Sequence, residues 1–178
     1  SKWTKPESYV GDAVYQATIL TRSGEVKIVS REYFHFGYDH SVIQSSGDIV
    51  LGVVFLLTPF DKEKLWEVAN ASAAYRKETQ PQGVFSPGCT FKNISQKEAM
   101  CIPTPNYTTS AGFLVDHAGC KEMSVGGAAI SPIHANFIVN RDHATASDVV
   151  QLIELVKAKV LDKFNVSLVE EIIKVGEF

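Results

Sequence analysis

The chain has 178 residues, 45% of them hydrophobic and 10% aromatic, with a formal net charge of −3. That composition fits one globular domain, or two small ones sharing a core, and excludes a disordered chain. Interspersed charges of slightly acidic balance exclude free nucleic acid as a partner, and the longest apolar run, IVLGVVFLL at 49–57, is too short to cross a bilayer.

The opening SKWTKPESYV has neither an initiator Met nor the apolar core of a signal sequence, which suggests an internal piece of a longer protein. VYQATILTRSGEVKIVS (14–30) reads as two strands joined at Ser23-Gly24, a hairpin turn. REYFHFGYDHS (31–41) is aromatic and polar, and its Tyr33, Phe34, Phe36 and Tyr38 form either an edge of core or a stacking surface for a planar ligand. Residues 48–58 read as a buried strand ended by Thr58-Pro59. In DKEKLWEVANASAAYRK (61–77), Leu65, Val68, Ser72 and Tyr75 recur at helical spacing behind Asp61 as N-cap.

From Glu78 to Ser110 the chain has little periodicity, and an irregular stretch of that length in a compact domain is usually functional. AGFLVDHAG (111–119) predicts a short helix stopped by Gly119. GGAAIS and ANFIVN predict short strands, with Gly126 and Gly127 allowing close backbone approach. TASDVVQLIELVKAKVLDKF (145–164) predicts a helix opened by a capping box of Thr145 and Asp148. Its apolar stripe is Val149, Ile153, Val156, Val160 and Phe164. The terminal SLVEEIIKVGEF predicts a strand by its branched residues. This order predicts an α+β fold with helices packed on a largely antiparallel sheet.

Cys89, Cys101 and Cys120 are odd in number and lack metal-ligand spacing. Free thiols and a reducing, cytoplasmic setting follow as expectations, and the five scattered histidines predict no metal site. Cys101 and Cys120 read as packing residues. Cys89 follows Pro87-Gly88 and precedes Lys92 and Asn93, and three readings stay open for it. It is a buried structural thiol, a proton donor with a pKa lowered by a nearby cation, or the nucleophile of a thiol hydrolase paired with His134 or His117. Glu171 would share a strand face with Val169, Ile173 and Val175, while Glu170 and Lys174 pair on the opposite, solvated face. A carboxylate among three apolar neighbours is costly unless something outside the strand uses it. The alternative is a frayed strand end.

Eight segments in register carry a resemblance: LTRSGEV (20–26), FGYDHS (36–41), RKETQP (76–81), GCTFKN (88–93), AGFLVDHAGCKEMSVGGAAIS (111–131), HANFIVN (134–140), ATASDVVQLI (144–153) and LVEEIIKVG (168–176). In this order they resemble the bacterial UDP-N-acetylenolpyruvoylglucosamine reductase (MurB) family. The resemblance implies an FAD oxidoreductase of peptidoglycan precursor synthesis, in which NADPH reduces the flavin and hydride passes to an enolpyruvyl UDP-sugar, giving UDP-N-acetylmuramate. It further implies that residues 1–79 are the end of an FAD-binding domain and residues 80–178 a substrate-binding domain. Cys89 matches the family's serine proton donor, and cysteine, with a reference pKa of about 8.5, is the stronger acid. Glu171 matches the catalytic glutamate, whose apolar surroundings would keep it protonated at the substrate carboxylate. Lys92, Asn93, His134 and Tyr38 fall on motif positions that imply substrate binding.

Three departures stand out. Ile94 replaces a proline. Asp39 occupies the place of the family's enolate-stabilising arginine, a charge of the wrong sign that leaves Lys92 or Arg76 to substitute, or His40 if protonated. No glycine-rich loop for the FAD pyrophosphate is legible in residues 1–30, so the chain resembles the family's C-terminal portion, and a non-catalytic UDP-sugar-binding module is the rival reading.

Overall fold

A computed structural model describes residues 9–176; the opening SKWTKPES and the last two residues lie outside them. The chain divides into two compact units, 1–72 and 73–178.

In the first unit a one-turn helix α1 (Val10–Ala13) leads into strand β1 (Val14–Leu20), which pairs antiparallel with β2 (Val26–Ser30). The hairpin closes as expected, with the Thr21 amide donating to Glu25 O at 2.8 Å and Gly24 at φ +86°, a left-handed conformation suited to glycine. A 3-10 turn (Arg31–Phe34) and a one-turn helix α2 (Ile43–Ser46) precede β3 (Ile49–Phe55), giving the order β2-β1-β3. The core of this unit is small: Val14, Ala17, Ile19 and Phe34. Phe34 thus serves as core, with Phe36 stacked on it at 5.2 Å.

The apolar run forms a strand, but it is not buried. Every residue of β3 is exposed, because β3 is an edge strand and both its faces meet solvent. Helix α3 (Lys62–Thr79) spans the boundary at 72/73 and buries none of its residues. Its Asp61 cap is present, Oδ1 accepting the Lys64 amide at 2.9 Å.

The second unit holds the larger core. A one-turn helix α4 (Gln96–Ala99) breaks the irregular stretch, and the expected helix α5 (Ala111–His117) follows it. Strands β4 (Ser124–Val125), β5 (Ala128–Ile130) and β6 (Ile138–Asn140) form an antiparallel sheet in that order. Helix α6 (Ala146–Phe164) carries the anticipated capping box of Thr145 and Asp148. Its Leu152, Ile153, Val156 and Val160 are fully buried against Leu114 and Val115 of α5 and Ile130 of β5, each contributing roughly 1.5–3 kcal/mol. Gly127 permits the close approach of the 142–144 main chain: a Cβ there would lie 1.9 Å from the Asp142 carbonyl oxygen.

The fold is therefore α+β with antiparallel sheets and packed helices. The C-terminal segment corrects one expectation. Residues 168–172 alternate between core and solvent as a strand would, but they form only an isolated bridge, Phe91 to Glu170. The two main-chain bonds of that bridge, Lys92 N–H to Val169 O and Glu171 N–H to Thr90 O, reach a single short neighbour, and no ladder builds.

Candidate functional site

The site is built on residues 89–92, an extended segment held from two sides. On one side Cys89 bridges Phe137, and the Thr90 amide donates to Asn136 O at 2.7 Å. On the other, the Lys92 amide donates to Val169 O and the Glu171 amide donates to Thr90 O, both at 2.8 Å. Phe91 is fully buried and anchors the segment in the core, while Cys89 is half-buried. Main-chain pairing thus brings Glu171 beside Cys89, although the two are far apart in sequence.

The electrostatics of the thiol reverse the expected direction. Burial pushes the Cys89 pKa up, and the nearby Glu171 carboxylate pushes it further; a hydrogen bond from Asn136 and the charge of Arg76 oppose them without prevailing. The expectation of a lowered pKa rested on a neighbouring cation in sequence. The cation acting on the sulfur is Arg76, and desolvation outweighs it. Cys89 is thereby held as the protonated thiol, the form a proton donor must have.

Glu171 is exposed, and so are Val169, Ile173 and Val175. The two faces of this segment are opposite to expectation: Leu168 is buried, Ile172 packs on the core, and Glu170 lies on that inner side. The Glu170 carboxylate pairs with Lys174 at 2.9 Å, as its spacing suggested, and also with Lys157 of α6. These ion pairs hold the segment down beneath the open face that carries Glu171.

His134 packs edge-on against Phe137 at 4.9 Å, and its Nδ1 accepts the Asn136 amide at 3.2 Å. Burial lowers its pKa, so it is a neutral imidazole with its proton on Nε2. His117 is exposed, stacked on Phe113 at 3.7 Å, with Nδ1 directed at Phe113 O. The Nδ1 of each imidazole is engaged elsewhere, that of His134 by the Asn136 amide and that of His117 with Phe113 O, which gives the thiol-hydrolase pairing no support. Asn93 accepts the Ala111 amide on Oδ1 at 3.1 Å, tying the end of the 89–93 segment to the start of α5. Lys92 is half-buried. Tyr38 belongs to the first unit, is 65% exposed, and lines a pocket of about 280 Å³ with Phe36 and Arg31. Cys120 packs as expected, but Cys101 is exposed, its Sγ donating to Lys97 O at 3.3 Å, because its helical turn faces outward.

Sequence reasoning missed Asn136. Its side chain is 4% exposed and grips the Phe91 main chain twice. The cue was available: an amide within the apolar run ANFIVN needs a partner, by the same argument that singled out Glu171.

A pyrophosphate such as that of FAD is gripped by a glycine-rich turn opening a helix, whose free amides face the ligand. Here the N-termini of both long helices carry their own caps, Asp61 on α3 and Thr145 with Asp148 on α6. Each cap occupies one of those amides and places a carboxylate at the helix start, where it would repel a phosphate. No glycine-rich turn opens either helix, so these two helices do not provide that grip. Among the described residues no helix is long and apolar enough to cross a membrane.

Residues 80–175 match the domain family described as UDP-N-acetylenolpyruvoylglucosamine reductase, C-terminal domain. The chain is 37% identical over 171 residues to the UDP-N-acetylenolpyruvoylglucosamine reductase of Bacillus pumilus, covering 96% of this chain and 52% of that protein. It is 37% identical over 169 residues to the same reductase of Agathobacter rectalis, covering 95% and 50%. The crystal structure of the UDP-N-acetylenolpyruvylglucosamine reductase (MurB) from Thermus caldophilus superposes with a TM-score of 0.71 at 32% identity, covering 90% of this chain and 52% of that one. The chain spans about half the length of these relatives. Residues 80–175 place the chain in the UDP-N-acetylenolpyruvoylglucosamine reductase family, as a bearer of its C-terminal domain.

Proposed function

We propose that this chain supplies the substrate and proton-delivery side of an NADPH- and FAD-dependent reductase, which converts UDP-N-acetylglucosamine enolpyruvate to UDP-N-acetylmuramate in peptidoglycan precursor synthesis. In this reading residues 80–178 are the substrate-binding domain, residues 1–79 are the end of the flavin domain, and the protein works in the cytoplasm. Saturating the enolpyruvyl double bond takes a hydride, which the family's flavin supplies, and a proton. The contribution of this chain is the proton and the hold on the substrate.

One observation carries the reading: main-chain pairing sets Glu171 beside a half-buried Cys89 whose thiol is held protonated. Addition of hydride to the terminal alkene carbon leaves negative charge on its neighbour and on the attached carboxylate. Cys89 delivers its proton to that carbon. Glu171, ionised beside the free thiol, takes up a proton when the substrate carboxylate comes against it, since two carboxylates in contact do not both stay ionised. It then acts as an acid that stabilises the charge. Lys92, Asn93, His134 and Tyr38 are the substrate contacts. A neutral His134 with its proton on Nε2 can donate one hydrogen bond to an oxygen of the sugar nucleotide.

The test uses a flavin-loaded enzyme containing this sequence. Cys89→Ala should leave reduction of the flavin by NADPH intact and slow the following step by about 10²–10⁴-fold. Cys89→Ser, which restores a hydroxyl proton, should recover much of the rate. Loss of flavin reduction itself in Cys89→Ala, with folding and substrate binding intact, overturns the proton-donor role.

A second reading, a non-catalytic UDP-sugar-binding module, draws on Asp39. That residue has φ +47°, a left-handed conformation that Asp tolerates better than most side chains, so its backbone suits aspartate where the family's chemistry wants arginine. Asp39→Arg in the same enzyme separates the two readings. A dead parent that gains nothing favours the binding module, and a gain in turnover favours the reductase.

A further inference from the structure

We propose that the first turn of α5 is a seat that makes hydrogen-bond donors of two proposed substrate contacts, Asn93 and His134, with Gly112 as the positioning residue that admits the imidazole. The inference rests on the reading of those two residues as substrate contacts and assigns what fixes their place and their polarity.

Gly112 is buried in the first turn of α5, two residues after the N-cap Ser110. Its φ is not positive, so the helix itself does not ask for glycine, which costs up to about 1 kcal/mol relative to alanine in a helix. What asks for it is space. A Cβ at this position would lie 3.0 Å from His134 Cε1, 3.5 Å from His134 Nδ1 and 3.4 Å from Asn136 Cβ. Those atoms flank one hydrogen bond, in which the Asn136 amide donates to His134 Nδ1 at 3.2 Å. A methyl group would therefore press on both sides of that bond. The Phe137 ring meets the imidazole edge-on at 4.9 Å, and the Phe137 amide closes the turn on His134 O at 3.0 Å. Displacing the ring thus disturbs a packed turn. One residue before Gly112, the Ala111 amide donates to Asn93 Oδ1 at 3.1 Å. Asn93 and His134, far apart in sequence, are in this way fixed to adjacent residues of one helix start.

The consequence is chemical. With Oδ1 taken by the Ala111 amide, what Asn93 offers a ligand is its NH₂. With Nδ1 taken by the Asn136 amide, what His134 offers is Nε2–H. Both groups are donors, so they fit acceptor oxygens of the sugar nucleotide and leave a ligand donor in the same place unpaired.

Gly112→Ala tests the seat. In a flavin-loaded enzyme containing this sequence, KM for the UDP-sugar should rise about three- to tenfold while reduction of the flavin by NADPH is unchanged. A second readout needs no substrate and would not move if Gly112 were merely structural. In ¹⁵N spectra of the imidazoles at neutral pH, His134 of the unaltered chain should show a bare Nδ1 and a protonated Nε2. Burial holds its titration midpoint down, and the Lys121 charge adds to this. In Gly112→Ala, with a cooperative melt retained, the tautomers should mix and the midpoint should rise toward the ordinary imidazole value of about 6.5. The ring has then lost cover and its amide donor. Unchanged His134 signals in the folded variant overturn the proposal. The unaltered chain decides the matter if the variant does not fold. A nuclear Overhauser contact between His134 Hε1 and the Gly112 Hα protons is expected, and its absence overturns the proposal. The two readings fail separately: a displaced ring with unchanged KM supports the seat and overturns His134 as a substrate contact.

Discussion

The two units of this chain are comparably apolar in sequence and differ in what they do with it. In the second unit Phe91, Leu114, Val115, Leu152, Ile153, Val156 and Val160 are fully buried in one cluster. In the first, the buried cluster has four members, and the most apolar stretch of the whole chain, β3, is exposed along its length. The difference teaches that an apolar run fixes a preference for burial, not its occurrence. Burial needs a second surface at the right distance, which α5, α6 and β5 give one another. An edge strand whose faces meet solvent does not receive one.

That contrast can be broken by substitution. Phe91→Ala should cost about 3–5 kcal/mol in urea-induced unfolding, because it empties a fully buried site. Leu51→Ala, at a position 54% exposed, should cost under about 1 kcal/mol. Equal losses would show that β3 is covered in solution and would erase the difference between the units.

Two glycines sharpen it on a smaller scale. Gly127→Ala would drive a Cβ into the Asp142 main chain and should destabilise by about 1–3 kcal/mol or more. Gly52→Ala in β3 meets nothing within 4 Å and should be neutral or stabilising by up to about 1 kcal/mol, through the unfolded chain. Thermal melts of the two variants side by side measure this. A destabilised Gly52→Ala would mean that another surface approaches β3.

The smallest expected effect concerns pH. Burial opposes ionisation of Glu170, but its pairs with Lys157 and Lys174 outweigh it and hold the carboxyl below its ordinary value. Its contribution to stability is therefore present above the unfolded carboxylate pKa of about 4.3 and is lost as pH falls through the folded value. The difference in urea midpoint between the unaltered chain and Glu170→Gln should be clear at neutral pH and shrink on acidification. A difference independent of pH would show that Glu170 acts through packing and not through its charge.

Local structure is largely legible in the sequence. The Ser23-Gly24 hairpin, the Asp61 cap and the Thr145–Asp148 capping box each depend on residues within a few positions of one another, and each is present. The α6 stripe followed because a period of 3.6 leaves no choice of which residues share a face. The terminal segment failed as a strand because alternation describes side-chain direction and says nothing of a partner. Its two faces were inverted because a carboxylate looks like a surface residue until Lys157, from another element, pairs with it.

The site divides along the same line. Cys89 and Glu171 were legible as residues with chemistry to offer, one from its Pro-Gly setting and the other from its apolar neighbours. Their adjacency, the upward direction of the thiol pKa and the role of Asn136 were not. Sequence determined which segments bend, cap and alternate, since those are set by steric and hydrogen-bonding rules acting over three or four residues. Tertiary structure decided which faces are dry and which charges meet across the chain, because desolvation and Coulomb interactions depend on distance in space and not on distance along the backbone.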